Sequence, residues 1–126
     1  MTKISGSGDC GNSPKNQLLE KLAIALVLGD PAALELLSAD VVWQQVGQAE
    51  QRGHDAVRQH LTQRASEPIA ELQIEHVVNH GKAGAVNGSV RYADTRCLMF
   101  CHMFEFSNTK GTAVKQIRSY LIEIAS

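Results

Sequence analysis

The residue with the clearest chemical potential is His102, in the run Leu98-Met99-Phe100-Cys101-His102-Met103-Phe104-Glu105-Phe106. Strand alternation sets Leu98, Phe100, His102, Phe104 and Phe106 on one face, and Cys97, Met99, Cys101, Met103 and Glu105 on the other. An imidazole among aromatic rings is disfavoured as a cation, so the neutral ring offers one donor and one acceptor. That suits a general base, or a hydrogen-bond partner for a ligand carbonyl or hydroxyl. The alternative is a core histidine bonded to a backbone carbonyl.

Other polar residues are weighed against it. Gln44 shares a strand face with Val42 and Val46, and is expected either to orient a polar ligand group through its amide or to make a structural hydrogen bond. Trp43 then points the opposite way, as a core or interface anchor, unless a bulge intervenes. On the last strand Ile117, Ser119 and Leu121 share one face, and Gln116, Arg118 and Tyr120 the other. Ser119 can bring a hydroxyl near His102, but no buried acid completes a nucleophilic triad. His60 lies between Val57 and Leu61 on the inward side of a helix, at the border of a pocket or as a boundary histidine.

Metal and disulfide chemistry are not expected. His76 and His80 share a strand face but stand about 13 Å apart at the rise of a strand, too far to chelate one ion. The same spacing excludes a Cys97–Cys101 bridge within one strand, and with Cys10 these read as three free thiols. No Gly-rich phosphate loop or basic stripe is present, and no cofactor is expected.

These side chains need elements to hold them. Residues 1–12, with Ser5-Gly6-Ser7-Gly8, are polar and Gly-rich and read as a flexible tail before a domain over 13–126. Ser13-Pro14 signals a helix start, and Leu18, Leu19, Leu22 and Leu26 give that helix an apolar face as far as Leu28, before Gly29. Asp30-Pro31 repeats the signal for a shorter helix carrying Leu34, Leu36 and Leu37. Val41–Val46 reads as a strand, and His54 to about Arg64 as a third helix stopped before Pro68. The period then changes to 2, predicting strands over Glu71–His80, Ala83–Tyr92, Arg96–Phe106 and Thr112–Ile124. Helices followed by strands make an α+β fold with a concave pocket, its outer sheet face available as a subunit interface.

The composition narrows the function class. The 126 residues are 44% hydrophobic and 20% charged, with a net charge of -1, so no global positive field draws in nucleic acid. The longest apolar run, Leu22–Leu28, is about seven residues against the ~20 of a membrane span, and Met1–Asn12 lacks an apolar signal segment. A cytoplasmic protein with no membrane partner is the expectation.

The order helix, helix, strand, helix, four strands, with Leu36-Leu37-Ser38-Ala39-Asp40-Val41-Val42-Trp43, Gly53-His54-Asp55-Ala56-Val57-Arg58 and Phe100–Phe106, resembles the SnoaL-like, ketosteroid isomerase-related branch of the NTF2-like superfamily over about residues 13–124. The resemblance implies a cone: three N-terminal helices packed on a strongly curved, mostly antiparallel sheet around an apolar pocket. It also implies a homodimer through the convex sheet face, where Met99, Met103, Arg118 and Tyr120 alternate outward. The isomerase site uses a helix Tyr, an Asp base and a protonated Asp donor. Those positions fall on Leu22, Gln44 and His102, and all three differ. Leucine has no proton to donate and an amide is no base near neutral pH, so the steroid isomerase mechanism is not expected. A closer match is the subset with a His at the His102 position and a Trp followed by a polar residue at Trp43-Gln44. An epoxide hydrolase would need an Asp-Arg-Asp network, and Arg91 with Asp94 has the wrong spacing for one strand face.

The resemblance turns Ile117, Ser119 and Leu121 inward and makes His102 a pocket residue. The expected function is therefore binding of a hydrophobic small molecule, with isomerase- or cyclase-type proton transfer centred on His102. Gln44, His60, Phe100, Phe104, Ser119 and Leu22 would line that site. The alternative is a non-catalytic dimeric binding or assembly module, whose pocket Leu22, Phe100 and Phe104 fill.

Overall fold

The structure, a computed structural model, describes residues 2–11 and 13–124. Met1 and Asn12 of the expected tail, and Ala125 and Ser126 of the expected domain, lie outside the described residues. Within the segment read as a tail, Lys3–Ser5 forms strand β1. There follow α1 (Pro14–Leu28), a 3-10 helix (Pro31–Leu36), β2 (Leu37–Gln45), β3 (Gln51–Arg52), α2 (Gly53–Ala65), β4 (Ile69–His80), β5 (Ala83–Tyr92), β6 (Cys97–Phe106) and β7 (Val114–Ile124).

Local chemistry sets the helix ends. The Ser13 hydroxyl accepts from the Asn16 N–H, one of the donors that a first turn leaves free, and Pro14 opens α1. Gly29 closes it in the left-handed region at φ 73°, its N–H donating to the Ala25 carbonyl. A Cβ there would stand 2.4 Å from the Leu61 carbonyl oxygen and the Ala65 nitrogen, so the absent side chain lets α1 end against α2.

The expected cone is corrected on several points. The helices are not all N-terminal, because β2 and β3 precede α2 and β3 pairs back onto Val42 and Trp43. The second helix is a 3-10 turn: Ala33 N–H donates to the Asp30 carbonyl, and the chain enters β2 only six residues after Pro31, too soon for a settled α-helix. The sheet is mixed, in the order β1-β4-β5-β6-β7-β2-β3, with β1 parallel to β4 and β2 parallel to β7. Nor is it strongly curved. Its central pair, β5 and β6, runs in unbroken register from Ala83–Glu105 to Arg91–Cys97, and the register shifts fall in the pairs on either side.

Helix α1 packs on β4 and β5, and α2 on β2. Leu19, Leu22 and Leu26 of α1 and Val57 and Leu61 of α2 meet Leu72, Val86, Phe100, Phe106 and Ile117 of the sheet in one buried core. Each such side chain contributes about 1.5–3 kcal/mol on burial. On the other face Met99, Met103, Tyr120 and Ile122 are exposed.

Candidate functional site

The polar centre of the core lies between β6, β7 and β2. His102 on β6 faces Ser119 on β7 in register, and both are completely buried. His102 Nδ1 lies 2.7 Å from Ser119 Oγ, and the indole N–H of Trp43 on β2 donates to the same oxygen at 2.9 Å. The Phe100 and Phe104 rings flank the imidazole, with centroids 5.0 and 5.9 Å away.

Counting donors fixes the direction of this chain. Ser119 Oγ already accepts from Trp43, so its own O–H has His102 Nδ1 as acceptor, and the imidazole hydrogen then sits on Nε2. The opposite tautomer would strand the serine hydrogen as well as Nε2. Either way His102 Nε2 is buried without a partner among the described residues. Burial first, and the Arg64 guanidinium second, lower the His102 pKa to about 3. At neutral pH the ring is therefore uncharged, with its Nε2–H as a donor.

Helix α2 supplies a second polar group. His60 and Arg64 are one turn apart and share its inward side. The His60 ring meets Trp43 edge to face at 4.7 Å, and the Arg64 guanidinium lies 5.4 Å from the Trp43 ring. Arg64 also donates to the Gln45 side-chain oxygen. His60 Nε2 and Arg64 Nε are buried and unpartnered among the described residues. Burial, then Arg64, lowers the His60 pKa, and burial lowers that of Arg64. A cleft of about 530 Å³ opens here, lined by Gln45, His60, Arg64, Tyr92, Leu98 and Leu121 among others. Leu98 shares the inward face of β6 with Phe100 and His102, so the cleft meets that face two positions from Phe100, and His102 is not among its lining residues.

The expected set is thus partly assembled. His102, Ser119, Phe100 and Phe104 come together, His60 joins them through Trp43, and Leu22 is fully buried in the same core. Gln44 does not join them. Leu37, Val41 and Trp43 are the buried residues of β2, so Gln44 and Val42 share a face as expected, but that face is the outer one. Odd-numbered residues stay inward on both sides of the register shift between Leu37 and Val42, so it is the placement of β2 beside β7 that decides which face meets the core. Missing from the sequence reading were Trp43 as an inward donor, Gln45 and Arg64. The one signal for Arg64 was its position four residues after His60.

A wider cleft of about 600 Å³ lies on the outer sheet face, beside Met103, Arg118 and Tyr120. It contains none of the buried unpartnered nitrogens. Among the described residues, no three of His, Cys, Asp or Glu come together to hold a metal ion, and no helix is long and apolar enough to cross a membrane.

The model of the SnoaL-like domain family matches residues 22–114. No curated protein matches the chain. Among solved structures, an NTF2-like protein of unknown function from Cytophaga hutchinsonii superposes with a TM-score of 0.71 at 21% identity, covering 86% of this chain and 99% of that one. SalBIII, an epoxide hydrolase/cyclase-like enzyme of pyran ring formation in the polyether salinomycin, gives 0.69 at 14% identity, covering 86% and 90%. An LEH-like epoxide hydrolase of M. tuberculosis gives 0.65 at 20% identity, covering 86% and 82%. At such identities the superpositions speak for the fold, and the family match spans most of the domain. The chain has the fold of these NTF2-like proteins and belongs to the SnoaL-like domain family.

Proposed function

We propose that this SnoaL-like domain binds a small, largely apolar molecule through a carbonyl or hydroxyl oxygen that accepts the Nε2–H of neutral His102. The carrying observation is that donor itself: a fully buried N–H, oriented by Ser119 and Trp43, with no partner of its own. A buried polar group left unsatisfied costs about 1–3 kcal/mol, which a ligand oxygen would recover. On a carbonyl ligand the same bond would stabilise a developing oxyanion, the electrostatic half of an isomerase- or cyclase-type proton transfer. Relatives described as an epoxide hydrolase/cyclase-like enzyme and an epoxide hydrolase support small-molecule chemistry in this fold.

Trp43 is the single tryptophan, so its fluorescence and its indole N–H resonance report on the site. Titration with a panel of small alicyclic ketones and alcohols is expected to shift both. His102→Phe is expected to weaken binding about tenfold, the worth of one hydrogen bond. No response to any member of the panel, or equal affinity in the variant, overturns the proposal.

The non-catalytic dimeric module has its own support, because Leu22, Phe100 and Phe104 are at most 3% exposed and the two Phe rings flank His102. The exposed Met99, Met103 and Tyr120 would then form the contact between subunits. A dimer in sedimentation together with no response from Trp43 would favour that module.

A further inference from the structure

Arg64 is a half-buried cation without a counter-ion. Among the described residues no carboxylate lies within ion-pair distance of it, and its one side-chain partner is the neutral Gln45. Glu67, the nearby acid that acts on it electrostatically, is paired with Arg96 at 3.6 Å. Arg64 Nε is buried with no acceptor, and one turn earlier His60 Nε2 is buried with none. Both border the same cleft, whose far wall is the apolar pair Leu98 and Leu121. A desolvated guanidinium is costly unless charge or hydrogen bonds compensate it, and its planar fork matches a carboxylate.

We infer that the ligand of this domain is an organic carboxylate, its acid group held between Arg64 and His60 and its hydrocarbon body lying across Leu98 and Leu121 toward Phe100. This rests on the proposed binding site and adds a second anchor for its ligand, at Arg64 and His60, beyond the oxygen held at His102 Nε2. Two equivalent anionic oxygens take the nitrogens of Arg64 and His60, whereas an ester offers one good acceptor without charge and a lone hydroxyl a single oxygen. Glu67 and Glu123 also line the cleft, which favours a monoanion over a phosphate dianion.

The test compares cyclohexylacetate, its methyl ester and cyclohexylethyl phosphate near pH 8, by Trp43 fluorescence in the full chain. The acid is expected to bind ten- to a hundredfold more tightly than the ester, the range of a charge-assisted hydrogen bond. Arg64→Gln is expected to bring that ratio to about one, and Arg64→Lys, which keeps the charge without the fork, to an intermediate value. Thermal unfolding verifies that both variants fold. An ester that binds as well as the acid, a phosphate that binds better, or a preference that survives Arg64→Gln overturns the carboxylate assignment while leaving the binding site standing. If neither these probes nor the ketones and alcohols affect Trp43, both proposals fall together.

Discussion

Replacing His102 with Gln removes a titrating ring while keeping a polar side chain of similar length opposite Ser119. In the unfolded chain this imidazole takes up its proton near pH 6.5, whereas in the folded protein burial and Arg64 hold the uptake down to about pH 3. Above pH 6.5 the ring is neutral in both states and contributes nothing to pH dependence. Below it the unfolded state binds the extra proton, so stability falls with pH until the folded ring also titrates. Between about pH 8 and about pH 5 this one group lowers stability by about 2 kcal/mol, at roughly 1.4 kcal/mol per unit below the unfolded value. Urea unfolding at the two pH values should show a midpoint falling further in the wild type than in His102→Gln, by on the order of 1 M. Carboxylates and the other histidines titrate in both proteins, so the difference isolates His102. Equal losses in the two proteins would refute a buried neutral imidazole and, with it, the tautomer assigned from Ser119.

Ser119→Ala strips the acceptor from the Trp43 indole and the partner from His102 Nδ1, and is expected to cost about 2–4 kcal/mol. Calorimetry would read that as a Tm lower by roughly 10 °C, and an unchanged Tm would show that the chain of bonds does not form. Gly88→Ala would put a Cβ 2.1 Å from the Gln73 carbonyl oxygen and 2.9 Å from the Phe100 ring, so a loss of about 3 kcal/mol or more in urea unfolding is expected. A variant as stable as the wild type would disprove the close pairing of β4 and β5 there. If two copies join across the outer sheet face, Met103→Asp should dissociate them in sedimentation velocity, and an unaltered sedimentation coefficient would place the contact elsewhere.

What the sequence disclosed was local. Ser13-Pro14 and Gly29 bracket α1 because capping is decided within a few residues, and the third expected helix matches α2 to within a residue at each end. The alternation of β6 separates His102, Phe100 and Phe104 from Met99 and Met103, and both faces are as expected. The failures concern partners distant along the chain. Alternation in β2 tells which residues share a face but not which face is inward; parallel pairing with β7, more than seventy residues later, decides that. Arg64 in the last turn of α2 reads as an ordinary complement to the helix dipole. Only the folded chain brings it onto Trp43 and Gln45.

The two neutral histidines and the arginine form one electrostatic arrangement. Arg64 lowers the proton affinity of both His60 and His102, which means that its positive potential reaches both imidazoles. A potential that opposes an imidazolium at a given place favours a negative charge there by the same physics. The site therefore offers neutral imidazole N–H donors within the positive potential of one partly buried guanidinium. Linkage then requires the converse: a carboxylate bound at Arg64 must raise the pKa of His60, because the anion offsets the field that depresses it. The His60 ring resonances, titrated with and without cyclohexylacetate, would register that rise, and a His60 pKa that ignores the ligand would separate Arg64 from the binding site.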